Sequence, residues 1–492
     1  MTVKHPEATS DVLRAFRSQA PRWSADAGDP GQASPDGPAP EYTTIEVPRD
    51  YADPAGERLT LALSRLRATD PAKRRGILLF VNGGPGGDWG LGREMPARFA
   101  GTPVHEAYDL IGFDPRGTGA STPLFAEVVP QKAPFDSRPP DSAFEMLAED
   151  MRLRELGCAR AGGELRRHIS TRNTVRDMDL IRAVLGEERI NFVGYAYGAY
   201  VGAVYGSMFP ERLDRSVLDS CVHPGWTWRE QFLQQGDATR RNVERWAGWT
   251  AERHGHFGLG DTADAVLATV EQVVAGLDRV GDGPQVRTLL DGAVGTRSAD
   301  RSQWAELGVL VGELRTAVDA DDGEKARALL ADQGTWRPSD SEGSLRTGVL
   351  EAITLEHDWP DDLEGYYRDM RDFRRRFPYG YGVLRAQPWV GAFRTFTAPE
   401  KPCAVERAGY PVGLVVQADG DPMDHYAGGV AMAERLGHRL ITVEDSGEHE
   451  VYVLGGNRHV DGPVHRYLVD GDLPPEHLSV PGVAARPPVP AD

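Results

Sequence analysis

With 492 residues, 40% of them hydrophobic, the chain can bury a large core and hold more than one structural unit. A formal net charge of −19 argues against nucleic acid or an anionic membrane surface as partners, and no run approaches the roughly 18 apolar residues of a membrane span. Three cysteines (Cys158, Cys221, Cys403), odd in number and without metal-ligand spacing, and a start at Met1–Glu7 that lacks the apolar centre of a secretory signal, lead to the expectation of a cytoplasmic protein with no structural metal.

Residues 1–40 are polar, and Ala25–Pro40 is rich in Gly, Pro, Asp and Ser, so a flexible or surface-draped lead is expected there. Residues 41–224 read as the first part of an α/β core. Within it Gly76–Val81 is a continuous apolar run, the mark of a central parallel strand, and it opens into Asn82-Gly83-Gly84-Pro85-Gly86-Gly87. Glycines after a strand cradle a phosphate or turn backbone N–H groups toward an oxyanion. There is no G-x-x-x-x-G-K-[ST], and no G-x-G-x-x-G opens a helix, so the second role is the better fit. A third strand, Tyr108–Phe113, ends in Asp114-Pro115-Arg116-Gly117-Thr118-Gly119, again at the strand edge where open α/β sheets bind ligands.

Ile190–Val193 is a short buried strand and Ala199–Tyr205 a helix packed through small residues. Between them stands Gly194-Tyr195-Ala196-Tyr197-Gly198. A G-x-S-x-G elbow needs glycines on both sides because its nucleophile sits in a strained turn. Here the glycines are present and the central residue is alanine, which has no nucleophile.

From 225 to 402 the strand pattern stops and helical periodicity takes over, which predicts a helical cap. Glu351, Glu356, Asp358, Asp361 and Asp362 cluster there around Trp359, either as a solvated face or as ligands for a cation. Trp226, Trp228, Trp246, Trp249, Tyr379 and Tyr381 are candidates for an apolar pocket, most of them expected in plain core. Residues 403–475 return to the sheet. Val412–Gln417 leads into Ala418-Asp419-Gly420-Asp421-Pro422, and Arg439–Val443 into Ser446-Gly447-Glu448-His449-Glu450. Nucleophile position, acid, histidine is the chain order of α/β-hydrolases, with His449 as base and Asp421 or Asp419 as the acid. Residues 476–492 are Pro-rich, and Pro481–Asp492 is expected to be disordered.

Taken together, NGGPGG, DLIGFDPRGTGAS, GYAYGAYVGAVYGSMFPERLDRSVLDS, QADGDP and SGEHEVY resemble the tripeptidyl aminopeptidase and prolyl aminopeptidase group of α/β-hydrolases, from about Glu41 to about Pro475. The resemblance implies an α/β-hydrolase sheet of about eight mostly parallel strands, a helical cap over the site, a small peptide, amide or ester as substrate, and no cofactor. It implies oxyanion donors near Gly83 and Gly84 and from the Tyr197 N–H, and it favours Asp421 because Asp421-Pro422 matches the family pattern. It also implies cap carboxylates that hold a substrate ammonium, for which Glu351, Glu356 and Asp358 are the candidates. The departures are Ala196, Ala199 where threonine is usual, Asp88 after the glycine loop, and Glu448 and Glu450 on either side of His449. Asp88 opposes negative charge at an oxyanion hole, binds an ammonium, or simply faces water as most loop aspartates do. The two glutamates favour charged His449, a poorer base at neutral pH.

Three functional readings fit these residues. In the first, the chain is a serine hydrolase, aminopeptidase-like, with alanine put in place of the serine. In the second, alanine is native and the pocket transforms a metabolite without hydrolysis, by acid–base catalysis through His449 with Asp88 beside it. In the third, the protein is a non-catalytic binding module.

Overall fold

The computed structural model describes residues 6–25, 39–86, 92–280, 284–331, 344–483 and 489–492. Its strands are β1 (Glu41–Pro48), β2 (Arg58–Leu66), β3 (Ile77–Val81), β4 (Asp109–Phe113), β5 (Phe125–Glu127), β6 (Ile190–Tyr195), β7 (Leu213–Asp219), β8 (Leu345–Thr347), β9 (Leu414–Ala418), β10 (Arg439–Glu444) and β11 (His477–Pro481). Nine of them form one sheet in the order β1-β2-β4-β3-β6-β7-β9-β10-β11, while β5 and β8 pair as a separate antiparallel ribbon. β2 runs antiparallel to both its neighbours, β1 and β4, and every pairing from β4 onward is parallel. This is the α/β-hydrolase fold, mostly parallel as expected and one strand wider.

The continuous apolar runs are explained by burial on both faces of the sheet. All five residues of β3 are buried; Leu78 and Phe80 enter one core with Val193 and Phe99, while Leu79 and Val81 enter the opposite one with Phe192 and Val201. The two cores are filled from alternate residues of the same strands.

Among the described residues the chain between β7 and β9 is helical apart from β8. These helices carry a hydrophobic core of their own around Trp246, Trp249 and Trp304. The long helix Trp228–Ala251 opens it with a capping box at Thr227 and Glu230.

Most of the Ala25–Pro40 stretch (26–38) and residues 484–488 of the tail lie outside the described residues, but the described parts of both chain ends carry structure. Residues Pro6–Arg17 form a helix, and Phe16 is buried in the main core, so this part of the lead is packed. At the other end His477–Pro481 adds β11 in parallel to β10, and the last residues are tied to the helical segment: Arg253 Nε donates to the Val489 carbonyl at 2.6 Å and the Asp492 N–H to the Glu252 carbonyl at 2.9 Å. A prolyl-rich composition hid a strand that needs only five residues at a sheet edge.

Candidate active site

The elbow is built as its glycines require. β6 ends at Tyr195, the helix Tyr197–Met208 begins one residue later, and Ala196 between them has φ 50° and ψ −121°. A non-glycine residue pays to occupy that region, and such strain clusters at functional turns. The Ala196 N–H donates to the Asp219 carbonyl at 2.9 Å, and its own carbonyl accepts from the Ala199 N–H at 3.0 Å. Gly198 allows β3 to pass beside the turn, because a Cβ there would run into the Val81 carbonyl.

The glycine loop closes on the same turn. A Cβ on Gly83 would stand 2.7 Å from the Ala196 Cβ and 3.2 Å from Glu450 Oε1. The Gly83 N–H is already spent, donating to Asn82 Oδ1 at 2.7 Å. Of the three named oxyanion donors, Gly84 and Tyr197 keep N–H groups without a partner among the described residues; that of Tyr197 belongs to the first turn of its helix, where no intrahelical acceptor exists. Asp88 lies outside the described residues.

β9 and β10 deliver the acid and the histidine. His449 Nδ1 lies 2.9 Å from Asp421 Oδ2, with the carboxylate fully buried and the imidazole a quarter exposed. Asp421 Oδ1 accepts the N–H groups of Met423 (2.8 Å) and Asp424 (3.0 Å), which fixes its orientation. Asp419 is engaged elsewhere, in a two-pronged ion pair with Arg245 at 3.0 Å. His449 Nε2 has no hydrogen bond among the described residues.

A single carboxylate at the end of β7 clips the histidine loop to the elbow. Asp219 Oδ2 accepts the Tyr452 N–H at 2.6 Å and Oδ1 the Val451 N–H at 3.2 Å, while Ser220 Oγ accepts the Glu450 N–H at 2.9 Å. Burial pushes the Asp219 carboxyl up to about 7.

The electrostatics around His449 are strongly negative. Burial works against its charge, but Asp421, Asp424 and Glu450 outweigh that and hold the imidazole up at about 10. Asp424, which accepts a hydrogen bond from Gln231 Nε2, is itself pushed up to about 8 by burial, with His449 opposing the shift. Burial also raises Glu450. Of the two flanking glutamates only Glu450 faces Gly83 and the elbow; Glu448 turns to Ser446, whose hydroxyl donates to its Oε2 at 3.3 Å. Asp424 was not singled out in the sequence, although its place three residues after Asp421 was a usable signal.

The acidic cluster near Trp359 is dispersed. Glu351 is buried between Arg154 (2.6 Å) and Arg346 (2.7 Å), which neutralise it and hold it below the usual carboxylate range against the effect of burial. Glu356 accepts the Thr171 N–H at the start of a helix and is raised to about 7 by burial. Asp358 is fully exposed and reaches only Arg394, at 3.4 Å. Glu351 is paired and Asp358 exposed, while Glu356 has no cation partner among the described residues and lines a second cavity, of about 320 Å³. Arg116, in the loop after β4, is also committed: it is buried in a bidentate pair with Asp177 (2.6 and 2.7 Å) and donates to the carbonyls of Pro48, Arg49 and His168.

A cavity of about 900 Å³ is lined by Phe232, Trp389, Tyr381, Pro422 and Met423 among others, the last two following Asp421 in the chain. Of the aromatic candidates Tyr381 lines it; Trp228, Trp246, Trp249 and Tyr379 are buried in cores. Among the described residues no group of three His, Cys, Asp or Glu side chains is placed to hold a metal ion, and no helix is long and apolar enough to cross a membrane.

Residues 76–300 match the α/β-hydrolase fold family model, and residues 386–479 match the model for TAP-like proteins. The chain is 33% identical to a tripeptidyl aminopeptidase of Streptomyces lividans over 87% of its own length and 81% of that protein. The chain belongs to the tripeptidyl aminopeptidase family of α/β-hydrolases. Within this family it is also similar to the serine protease Hip1 of Mycobacterium tuberculosis (29% identity, 88% of this chain and 85% of the relative) and to carboxylesterase B of the same organism (30%, 88% and 85%). As a family of peptidases and esterases these relatives make the chain a peptidase-like α/β-hydrolase.

Proposed function

We propose that the site is that of a serine exopeptidase-like hydrolase with Ala196 at the nucleophile position, so that the chain binds a short peptide, amide or ester and hydrolyses it feebly. The 2.9 Å contact between His449 Nδ1 and Asp421 carries this reading. A carboxylate on one ring nitrogen fixes the tautomer and leaves Nε2 to take the proton of a hydroxyl at position 196. The N–H groups of Gly84 and Tyr197 are the donors for the oxyanion, and the helical segment 225–402 is the cap that selects the substrate. The tripeptidyl aminopeptidase and serine protease names of the relatives support a peptide substrate; carboxylesterase B widens the class to esters.

The test restores the side chain. Ala196→Ser should cleave aminoacyl or short peptidyl arylamides or simple esters and take up an active-site phosphonate, with Ala196→Ser/His449→Ala as the silent control. Removal of such a serine costs on the order of 10⁶ in kcat, so the gain is large. If the revertant neither cleaves any of them nor takes the label, the hydrolase reading is wrong.

One observation favours a second reading, acid–base catalysis on a metabolite by the alanine form. The Glu450 carboxylate faces Gly83 beside Ala196, on the side where a tetrahedral oxyanion would build negative charge. On this reading the revertant stays poor and His449→Ala in the alanine protein abolishes its native reaction.

A further inference from the structure

Among the described residues Arg385 has no counter-ion. It closes the short helix Gly382–Arg385 and lines the 900 Å³ cavity. Among the described residues its guanidinium has no hydrogen-bond acceptor and no carboxylate within 4 Å. Burial alone acts on its charge and pushes its pKa down. The guanidinium is part-buried in the cavity wall, so a ligand that enters there can supply the carboxylate that the protein does not.

The wall holds further unpartnered polar groups, one donor and two acceptors. The Tyr381 hydroxyl, Gln387 Oε1 and Gln235 Oε1 all line the cavity and are buried without a partner. The cavity's own acids are already engaged: Asp150 accepts the N–H groups of Lys132 and Ala133 at 2.8 to 3.1 Å, and Asp136 pairs with Arg287 at 2.5 Å. Of its other arginines Arg154 shares Glu351 with Arg346, at 2.6 and 2.7 Å, and Arg297 lies 4.0 Å from Glu306. Among the described lining residues Arg385 is the cation with no carboxylate beside it, while Asp150 is held by backbone N–H groups alone.

We propose that Arg385 is a carboxylate-binding residue, with the Tyr381 hydroxyl as a second donor, and that the substrate entering this cavity carries an anionic carboxylate. This rests on the peptidase-like reading for the scissile amide or ester, and it names the class of substrate. The carboxylate belongs either to an acidic residue of a peptide or to a dicarboxylic acyl group without an ammonium. Arginine suits both, because its planar fork matches the two carboxylate oxygens.

Binding to the alanine protein tests this without turnover. Three probes are compared by titration calorimetry: glutaryl-phenylalanine p-nitroanilide, the same compound with its free carboxylate converted to the amide, and Glu-Phe p-nitroanilide. The glutaryl compound should bind on the order of tenfold tighter than its amide, the size of a charge-assisted contact. Arg385→Gln should erase that difference, with a smaller loss for the amide than for the carboxylate, and Arg385→Lys should keep part of it. Glu-Phe p-nitroanilide binding as well as the glutaryl compound identifies acidic peptides as the source; preference for the glutaryl compound identifies the ammonium-free acyl group. Equal binding of carboxylate and amide by the unmodified protein, no binding of the glutaryl compound, or equal loss of both in Arg385→Gln overturns the proposal. The first comparison needs no variant, so misfolding cannot mask it. Failure of Ala196→Ser to cleave any substrate would leave the binding difference intact, whereas loss of that difference with cleavage restored strikes only at Arg385.

Discussion

Glu450 and Ala196 converge on one glycine: a Cβ at Gly83 would touch both the Glu450 carboxylate, at 3.2 Å, and the Ala196 methyl, at 2.7 Å. The space a serine hydroxyl and its oxyanion would use thus has a carboxylate on its border. On the hydrolase reading that charge opposes the transition state. Ala196→Ser/Glu450→Gln should therefore exceed Ala196→Ser in kcat by about tenfold on a neutral ester, a size set by one nearby charge in a partly screened site. Steady-state kinetics of the two proteins check it, and equal rates would show that the carboxylate does not oppose the reaction.

The pH profile should be displaced upward. With His449 held at about 10, the neutral imidazole that a base requires is scarce at pH 7, and kcat/KM of Ala196→Ser should climb through the alkaline range toward that value. Glu450→Gln removes one of the charges that raise it, so the limb should move to lower pH. The same shift bears on stability. A histidine raised in the folded state stabilises fully below its unfolded value of about 6.5, and that contribution is lost as pH rises through about 10. Denaturant midpoints measured across this window should fall, and His449→Ala should flatten that part of the fall.

Asp421→Asn in the Ala196→Ser background should cost about 10⁴ in kcat with little effect on KM, because the wrong tautomer is then held on Nδ1. Asp419→Asn should leave kcat within about threefold, since its partner is Arg245 on the cap helix. A reversal of the two effects would reassign the acid.

Gly83→Ala should impair the site directly. The added methyl meets the Ala196 Cβ and Glu450 Oε1 at less than ordinary contact distance, so the loop must shift at a cost of about 1–3 kcal/mol. A lowered melting temperature with weakened ligand binding is the expected result, and an unchanged protein would mean the loop has room to give.

Arg116→Met should be among the most damaging single changes. It leaves Asp177 buried opposite no cation and orphans three backbone carbonyls, for which about 3–5 kcal/mol is the usual loss. Calorimetric melting would read it. The expected defect is in stability, with ligand affinity of the remaining folded protein preserved.

The parts of this molecule that were legible in the sequence are those whose signal is local. Ile77–Val81 is apolar at every position because both its faces are covered, and Gly194 and Gly198 mark the elbow because no side chain fits beside the adjacent backbone. The order of the strands along the chain then suggests which loops share an edge. What was hidden depends on partners far away in the sequence. Glu351 sits in an acidic run, yet one of the two arginines that neutralise it, Arg154, lies 197 residues upstream, and nothing around position 351 reveals it. The helix at Pro6–Arg17 and the strand β11 were masked by polar and prolyl neighbours, although Phe16 and Val480 are buried. Arg385 is the extreme case: its interest lies in lacking a partner, which no local pattern can encode.

The pieces of the site arrive from five separate strand ends: Gly83 after β3, Ala196 after β6, Asp219 at the close of β7, Asp421 after β9 and His449 after β10. No contiguous fragment short of nearly the whole sheet contains them all. Recognition in this protein is therefore a property of the assembled chain. A partly folded form, however compact, should be blind to ligand.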